Sequence, residues 1–103
     1  MTPRVTKAVA EQVISRDLRV AGGCVAAYLG ATTPCRARWG SVVKRSVIDA
    51  LTLDHIREQP GGERRSEARW LVSICWGHHL IDAWATAHRP EIRDYLEKVS
   101  SLT

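Results

Sequence analysis

Apolar residues near the start of the chain recur at helical spacing. Valines return every fourth position from Val5 to Val13, which places them on one side of a helix. Thr2-Pro3 precedes them in the order of an N-cap followed by proline at the first helical position. Arg16-Asp17 closes the periodic stretch, so we predict an amphipathic helix over residues 3–17.

Two segments in the middle of the chain have the pattern of short β-strands. Residues 51–56 alternate apolar and polar positions in their first half, and the strong turn signal Gln59-Pro60-Gly61-Gly62 follows them. Residues 70–74 are predicted to form a second strand, antiparallel to the first. Residues 24–40, which carry two cysteines, Gly30 and Pro34, are expected to form a loop or a distorted hairpin.

Helical spacing returns after the second strand. From Trp76 onward, Leu80, Ile81 and Trp84 fit one side of a helix. A last helix is predicted to begin at Pro90, and its apolar face carries Ile92, Tyr95, Leu96 and Val99. The order of helix, loop, strand, loop, strand, helix and helix predicts an α+β fold.

The length of the chain and its composition indicate one small domain. A chain of 103 residues with 45% hydrophobic content has a modest core. Domains of this size often need additional stabilisation, for example from a bound metal ion. Phenylalanine is absent, so the four tryptophans are expected to belong to the core: Trp39, Trp70, Trp76 and Trp84. The N-terminus lacks the apolar core of a signal peptide and no apolar stretch has the length of a membrane span, so we expect a soluble, intracellular protein.

The charge balance points weakly to a nucleic-acid partner. Lys and Arg number 15 against 11 Asp and Glu, and 12 of those 15 are arginines, whose planar guanidinium suits phosphate. Each arginine taken alone is interpreted as a charged side chain exposed to solvent. Together, six that flank the central strands are the candidate phosphate contacts: Arg36, Arg38, Arg57, Arg64, Arg65 and Arg69.

Candidate catalytic and metal-binding residues occur in two segments that a hairpin would bring together. Asp54-His55 ends the first predicted strand, and Cys75-Trp-Gly-His78-His79 stands where the second strand hands over to a helix. Three cysteines in an intracellular chain favour metal ligation or burial over disulfides. A hairpin followed by a helix would make these distant residues converge.

These residues resemble the HNH endonuclease family, the ββα-metal nucleases, and in particular its small phage and actinobacterial members. The resemblance covers roughly residues 16–96. Its most specific part is an Asp-His pair, then a Gly turn, then Cys-x-x-His-His. It implies an α+β domain over residues 1–103, with an N-terminal helix (1–20), a zinc and ββα-metal core (24–88) and a C-terminal helix (89–103).

The resemblance also implies the roles of the catalytic residues. Asp54 and His79 would hold one divalent cation, and His55 would be the general base. Phosphodiester hydrolysis needs a nucleophilic water and stabilisation of the charge on the phosphoryl oxygens, which an imidazole and a cation supply. Mg²⁺, Mn²⁺, Ni²⁺ and Zn²⁺ are all compatible with one carboxylate and one imidazole.

Many members of the family carry a structural zinc beside the active-site hairpin. The corresponding set in this chain is Cys24, Cys35, Cys75 and His78, a Cys₃His site of ordinary zinc chemistry. The alternative for the cysteines is simple burial as small apolar side chains, because ten residues separate the first two. His78 and His79 could also exchange roles.

One departure from the family keeps a second function open. Trp70 stands where the motif has its middle asparagine. The leading hypothesis is therefore a DNA endonuclease, and the alternative is a non-catalytic zinc module that binds nucleic acid or a protein. Cleavage of RNA or branched DNA is a third reading. Phage members of this family of similar size are often linked to genome packaging, which makes terminase a candidate partner and the cytoplasm of a bacterial host cell the expected location. The oligomeric state stays open.

Overall fold

A computed structural model of the chain describes residues 5–43, 48–56 and 66–101, which form an α+β fold as predicted. Within these ranges two strands pair in one antiparallel sheet, and helices pack around it. The helices are α1 (Lys7–Ala21), α2 (Val25–Tyr28), α3 (Trp84–Ala87) and α4 (Arg89–Ser101), and the strands are β1 (Leu51–His55) and β2 (Leu71–Cys75). Three predictions lie outside the described residues: the cap at Thr2-Pro3, the turn at 59–62 and the phosphate contacts Arg57, Arg64 and Arg65.

Helix α1 is displaced from its predicted position by four residues. Its N-cap is Thr6, whose hydroxyl accepts a hydrogen bond from the Val9 N–H at 3.2 Å. It ends at Gly22, which adopts the left-handed conformation (φ 75°) that glycine tolerates best. The prediction that the helix ends at residue 17 was wrong, because Arg16 and Asp17 are inward-facing residues in the body of the helix.

The side chains of Arg16 and Asp17 tie α1 to the sheet and to α4. The fully buried Asp17 carboxylate accepts from the Arg16 guanidinium (2.8 Å), the Ser73 N–H (2.8 Å) and the Tyr95 hydroxyl (2.6 Å). Arg16 also donates to the Leu71 carbonyl at 2.7 Å. Burial and the neighbouring Asp17 charge raise the pKa of Tyr95 well above its usual range, so the phenol stays a proton donor. Every member of this buried polar group therefore has a partner, as burial requires.

The two strands lie within one residue of their predicted positions. They pair antiparallel with Leu51 opposite Cys75 and His55 opposite Leu71, and all five residues of β2 are buried. Trp70 belongs to a short 3₁₀ turn before β2 and not to the strand itself.

The helix predicted from Trp76 onward is interrupted. Gly77–Ile81 forms one π-helical turn, in which the Asp82 N–H donates to the Gly77 carbonyl at 2.8 Å. Ala83, in the left-handed region at φ 52°, then ends the turn before α3. Leu80 and Ile81 are 59% and 51% exposed, so the prediction of one continuous apolar face was wrong.

Helix α4 follows the prediction closely. It begins at Arg89, one residue before the expected start, and its four predicted apolar residues are all buried in the core. They pack with residues of α2 and of both strands. In the described part of the chain, no helix combines the length and the apolar character that crossing a membrane requires.

The region of residues 24–40 contains a distorted hairpin. Arg36 pairs with Val42 across it, the Ala37 N–H donates to the Ser41 carbonyl (3.0 Å), and the Gly40 N–H donates to the Ala37 carbonyl (2.8 Å). These bonds close a tip turn over residues 37–40. Trp39 lies in this turn and is 86% exposed, which corrects its assignment to the core.

Candidate metal centres

Four side chains from separate parts of the chain converge behind this hairpin. Cys24 caps α2, Cys35 enters the hairpin, Cys75 ends β2 and His78 lies in the π turn. Their ligand atoms all lie within 4.8 Å of one another, and all four residues are buried except the half-buried Cys35. We call this group the Cys₃His cluster. It could hold a metal ion such as zinc, for which three thiolates and one imidazole are an ordinary donor set.

Backbone hydrogen bonds fix the geometry of the Cys₃His cluster. The Cys24 sulfur accepts from the Cys75 N–H at 3.2 Å, and the Cys75 sulfur accepts from the His78 N–H at 3.4 Å. The Gly77 N–H donates to the Arg36 carbonyl at 3.1 Å, which holds the hairpin against the π turn. A Cβ atom at Gly77 would lie 2.9 Å from the Arg36 side chain, so only glycine permits this close approach.

His78 presents the nitrogen that a metal would need. Its Nδ1 lies 3.1 Å from the Cys75 sulfur, and its Nε2 lies 2.9 Å from the Thr33 carbonyl oxygen. A carbonyl can only accept, so Nε2 carries the proton and Nδ1 turns its lone pair toward the thiols. A backbone carbonyl on the distal nitrogen is the usual support of a metal-binding histidine.

The three thiols of the cluster differ in acidity. A hydrogen bond from the Cys24 thiol lowers the pKa of Cys75 to about 4, with further help from backbone N–H groups. The same bond to Cys75, together with burial, raises the pKa of Cys24 far above its usual value. Burial and then the nearby Cys75 charge raise the pKa of Cys35 to about 11. Without a metal, Cys24 and Cys35 therefore keep their protons at neutral pH.

A second group of side chains lies where β1 meets the π turn. Asp54 Oδ1 is 3.4 Å from His79 Nε2, and Asp54 Oδ2 is 2.7 Å from the Arg89 guanidinium. The Asp54 side chain is 7% exposed, whereas His79 and Arg89 are 21% and 29% exposed. The Asp54–His79 pair thus has a buried carboxylate and an edge open to solvent.

Thr52 decides which nitrogen of His79 carries a proton. The Thr52 hydroxyl donates its single proton to the Ile74 carbonyl at 2.7 Å, so it can only accept from His79 Nδ1, 2.8 Å away. Nδ1 is therefore protonated, and Nε2 of a neutral imidazole turns its lone pair toward Asp54. A carboxylate oxygen and an imidazole lone pair at 3.4 Å need a positive charge between them, either a second ring proton or a cation.

The spacing and the charge of the Asp54–His79 pair suit a cation. Two atoms that each lie about 2.1 Å from one metal ion are roughly 3 Å apart at octahedral angles, close to the observed 3.4 Å. Burial alone raises the pKa of Asp54, but the hydrogen bond and charge of His79 in its doubly protonated form, together with those of Arg89, outweigh burial and bring the pKa below its ordinary value. The carboxylate is therefore ionised at neutral pH, which is the form that binds a cation.

His55 stands apart from the Asp54–His79 pair in its described contacts. It is the last residue of β1, and its Nε2 lies 3.5 Å from the Ser66 hydroxyl. Neighbouring strand positions face opposite sides, so strand alternation alone places His55 on the face opposite Asp54.

The described arginines among the candidate phosphate contacts have different surroundings. The Arg36 guanidinium forms an ion pair with Asp82, which also accepts from the Thr33 hydroxyl at 3.0 Å. Arg69 is exposed and pairs with Glu67 at 3.3 Å. Arg38 is exposed and lies over the ring of Trp39. Of these three, Arg36 thus has a structural partner beside the Cys₃His cluster.

Sequence reasoning missed several residues that orient these centres. Thr52 could have been found, since it lies two residues before Asp54 and strand alternation puts both on one face. No sequence pattern pointed to Thr33 or Arg89, because their partners lie far away in the sequence: His78 is 45 residues from Thr33, and Asp54 is 35 residues from Arg89.

Comparison of the chain with protein-family models, curated proteins and solved structures finds no match.

Proposed function

We propose that the chain is a metal-dependent endonuclease that hydrolyses phosphodiester bonds of DNA, built on the ββα-metal arrangement. The observation that carries the proposal is the Asp54–His79 pair, whose ligand atoms lie 3.4 Å apart at an edge open to solvent. The pair stands on a hairpin of two antiparallel strands followed by a helical turn, which is the order that the arrangement requires. The Cys₃His cluster next to it would hold a structural zinc.

Each side chain of the centre has a role in this proposal. Asp54 and His79 would hold the cation, which stabilises charge on the phosphoryl oxygens and on the departing 3′ oxygen. Thr52 holds the imidazole in the tautomer that leaves Nε2 able to bind. His55, at the end of β1, would accept the proton from the attacking water.

Arg89 adds a positive charge at the same edge. One of its nitrogens donates to Asp54 Oδ2 at 2.7 Å, and a guanidinium has five N–H donors in all. The remaining donors of this partly exposed side chain can bind a phosphoryl oxygen while the ion pair with Asp54 persists. Arg89 would thus position the DNA backbone over the cation.

Cleavage of a supercoiled plasmid tests the proposal. We expect the zinc-loaded protein to convert the plasmid to nicked or linear form with Mg²⁺, Mn²⁺ or Ni²⁺, and to stop when the added metal is chelated. Folded, zinc-loaded protein that cleaves with none of these metals would refute the endonuclease.

The second candidate function is a non-catalytic zinc module that binds nucleic acid or a protein. Two observations favour it: the Cys₃His cluster is complete, and Trp70 occupies the position of the family's asparagine. In such a module Asp54 and His79 would form an ordinary ion pair with a doubly protonated imidazole. Binding without cleavage in the plasmid assay would select this function.

Replacement of Thr52 by valine tests the tautomer argument directly. The variant keeps the shape of the side chain but removes the acceptor for His79 Nδ1, so the imidazole loses its orientation. We expect the metal concentration for half-maximal cleavage to rise about 10- to 100-fold, as for other outer-shell partners of metal ligands. Thr52→Ser is the matched control, since it keeps the hydroxyl and should stay close to the native protein. Equal metal requirements for the native and valine proteins would contradict the role given to Thr52.

A further inference from the structure

The tip turn exposes a large aromatic ring to solvent. Trp39 is 86% exposed, in a chain whose core is built from aliphatic residues and Tyr95. Single exposed apolar residues are common, but a tryptophan is the side chain that gains most from burial. The turn extends from the hairpin that carries Cys35.

Charge around the tip turn identifies the kind of partner. The Arg38 guanidinium carbon lies 5.6 Å from the centroid of the Trp39 ring, which is a cation–π distance. Between Asp17 and Asp49 the sequence has five basic residues and no acidic one, and of the two arginines on the hairpin Arg36 is paired with Asp82 whereas Arg38 is exposed. An exposed aromatic ring beside an arginine, in a stretch without carboxylates, matches the two needs of a nucleotide: a stacking surface for the base and a cation for the phosphate.

We propose that Trp39 stacks on an unpaired DNA base while Arg38 contacts the adjacent phosphate. Bases inside an intact duplex are already stacked on their neighbours, so the tip turn would select single-stranded, bulged or frayed DNA. The inference rests on the nucleic-acid partner of the proposed function, and it names the structural class of DNA that the protein prefers.

Binding of labelled oligonucleotides by the zinc-loaded chain, without any other divalent cation, tests the inference. Trp39→Ala should weaken binding to a single-stranded oligonucleotide about 5- to 150-fold, the range for loss of one base–aromatic stack. Trp39→Phe should keep most of the affinity, because phenylalanine also stacks. Val42→Ala is the matched control on the same hairpin, 53% exposed in the native chain, and should bind like the native protein.

A second comparison uses a duplex with one bulged base and the same duplex fully paired. The native chain should prefer the bulged duplex, and Trp39→Ala should lose that preference. Equal affinity of the native and Trp39→Ala proteins would overturn the inference, and so would a Trp39→Phe variant as weak as the alanine variant. Plasmid cleavage by the native chain separates the two proposals. If the native chain cleaves but Trp39→Ala binds DNA as well as the native chain does, the endonuclease is supported and base stacking is refuted. If Trp39→Ala binds more weakly but the native chain does not cleave, base stacking is supported and the endonuclease is refuted.

Discussion

Replacement of Cys75 by alanine is expected to abolish the cooperative unfolding transition of the chain at 25 °C. Cys75 is fully buried, and its sulfur lies 3.1 Å from His78 Nδ1. A structural zinc contributes about 10–16 kcal/mol in small zinc domains, against a total stability of about 5–15 kcal/mol for ordinary proteins. A core of this size therefore cannot offset the loss of the metal. Circular dichroism during thermal unfolding, with zinc content measured on the same samples, checks the result.

Ser73 provides the matched control for this variant. It lies two residues earlier on β2 and is fully buried, and its hydroxyl has no hydrogen-bond partner within the described ranges. Ser73→Ala should thus retain zinc and change the free energy of unfolding by less than about 1 kcal/mol. A Cys75→Ala protein that unfolds cooperatively at the native temperature would contradict a structural zinc.

Zinc affinity should fall at acid pH, and the pKa values of the cysteine thiols determine how steeply it falls. The pKa values of Cys24 and Cys35 are raised, so both hold protons at neutral pH and must release them to bind the metal. Zinc affinity should fall at least about 100-fold for each unit by which the pH is lowered below neutrality, because at least two protons compete with one ion. Zinc titration calorimetry in buffers of different ionisation enthalpy counts the released protons.

Replacement of His79 by alanine is expected to remove DNA cleavage altogether, and replacement of His55 to slow it about 100- to 10,000-fold. His79 supplies one of the two protein ligands of the proposed cation, so its loss leaves Asp54 paired with Arg89 alone. His55 would act on the proton of water, and loss of a general base has the smaller cost. Initial rates of plasmid nicking at fixed Mn²⁺ concentration measure both.

Metal binding separates the roles of these two histidines. The His55→Ala protein should still bind Mn²⁺ at the Asp54–His79 pair, and the His79→Ala protein should not. His88 is the control histidine, because its described contacts are with Trp84, on which it stacks with ring centroids 4.1 Å apart. His88→Gln should cleave at the native rate once its folding is verified. Unimpaired nicking by His55→Ala would remove that residue from the mechanism.

The spacing of apolar residues predicted the helices and strands whose positions depend mainly on nearby residues. Helix α4 and both strands were placed within one residue, because their apolar spacing coincides with the buried face that the fold uses. The residues of the Cys₃His cluster were grouped from their types and from the family resemblance, and the structure brings them together. The α+β class followed from the order of the elements.

Elements governed by distant contacts were misplaced. The end of α1 was predicted too early because Arg16 and Asp17 look like surface charges, whereas Tyr95, 78 residues from Asp17, makes their burial favourable. The π turn could not be predicted from the spacing of apolar residues. It contains two consecutive histidines, His78 and His79, that have different partners. Trp39 was assigned to the core on residue type alone, and the tip turn exposes it.

The adjacency of His78 and His79 restricts how the length of this chain can vary. One residue faces the Cys₃His cluster and the next faces Asp54, so a single peptide bond sets the distance between the two centres. An insertion or deletion at that bond would disconnect them, whereas the tip turn at residues 37–40 can lengthen without moving either centre. Relatives of this protein should therefore differ in length at the hairpin and keep the two histidines consecutive.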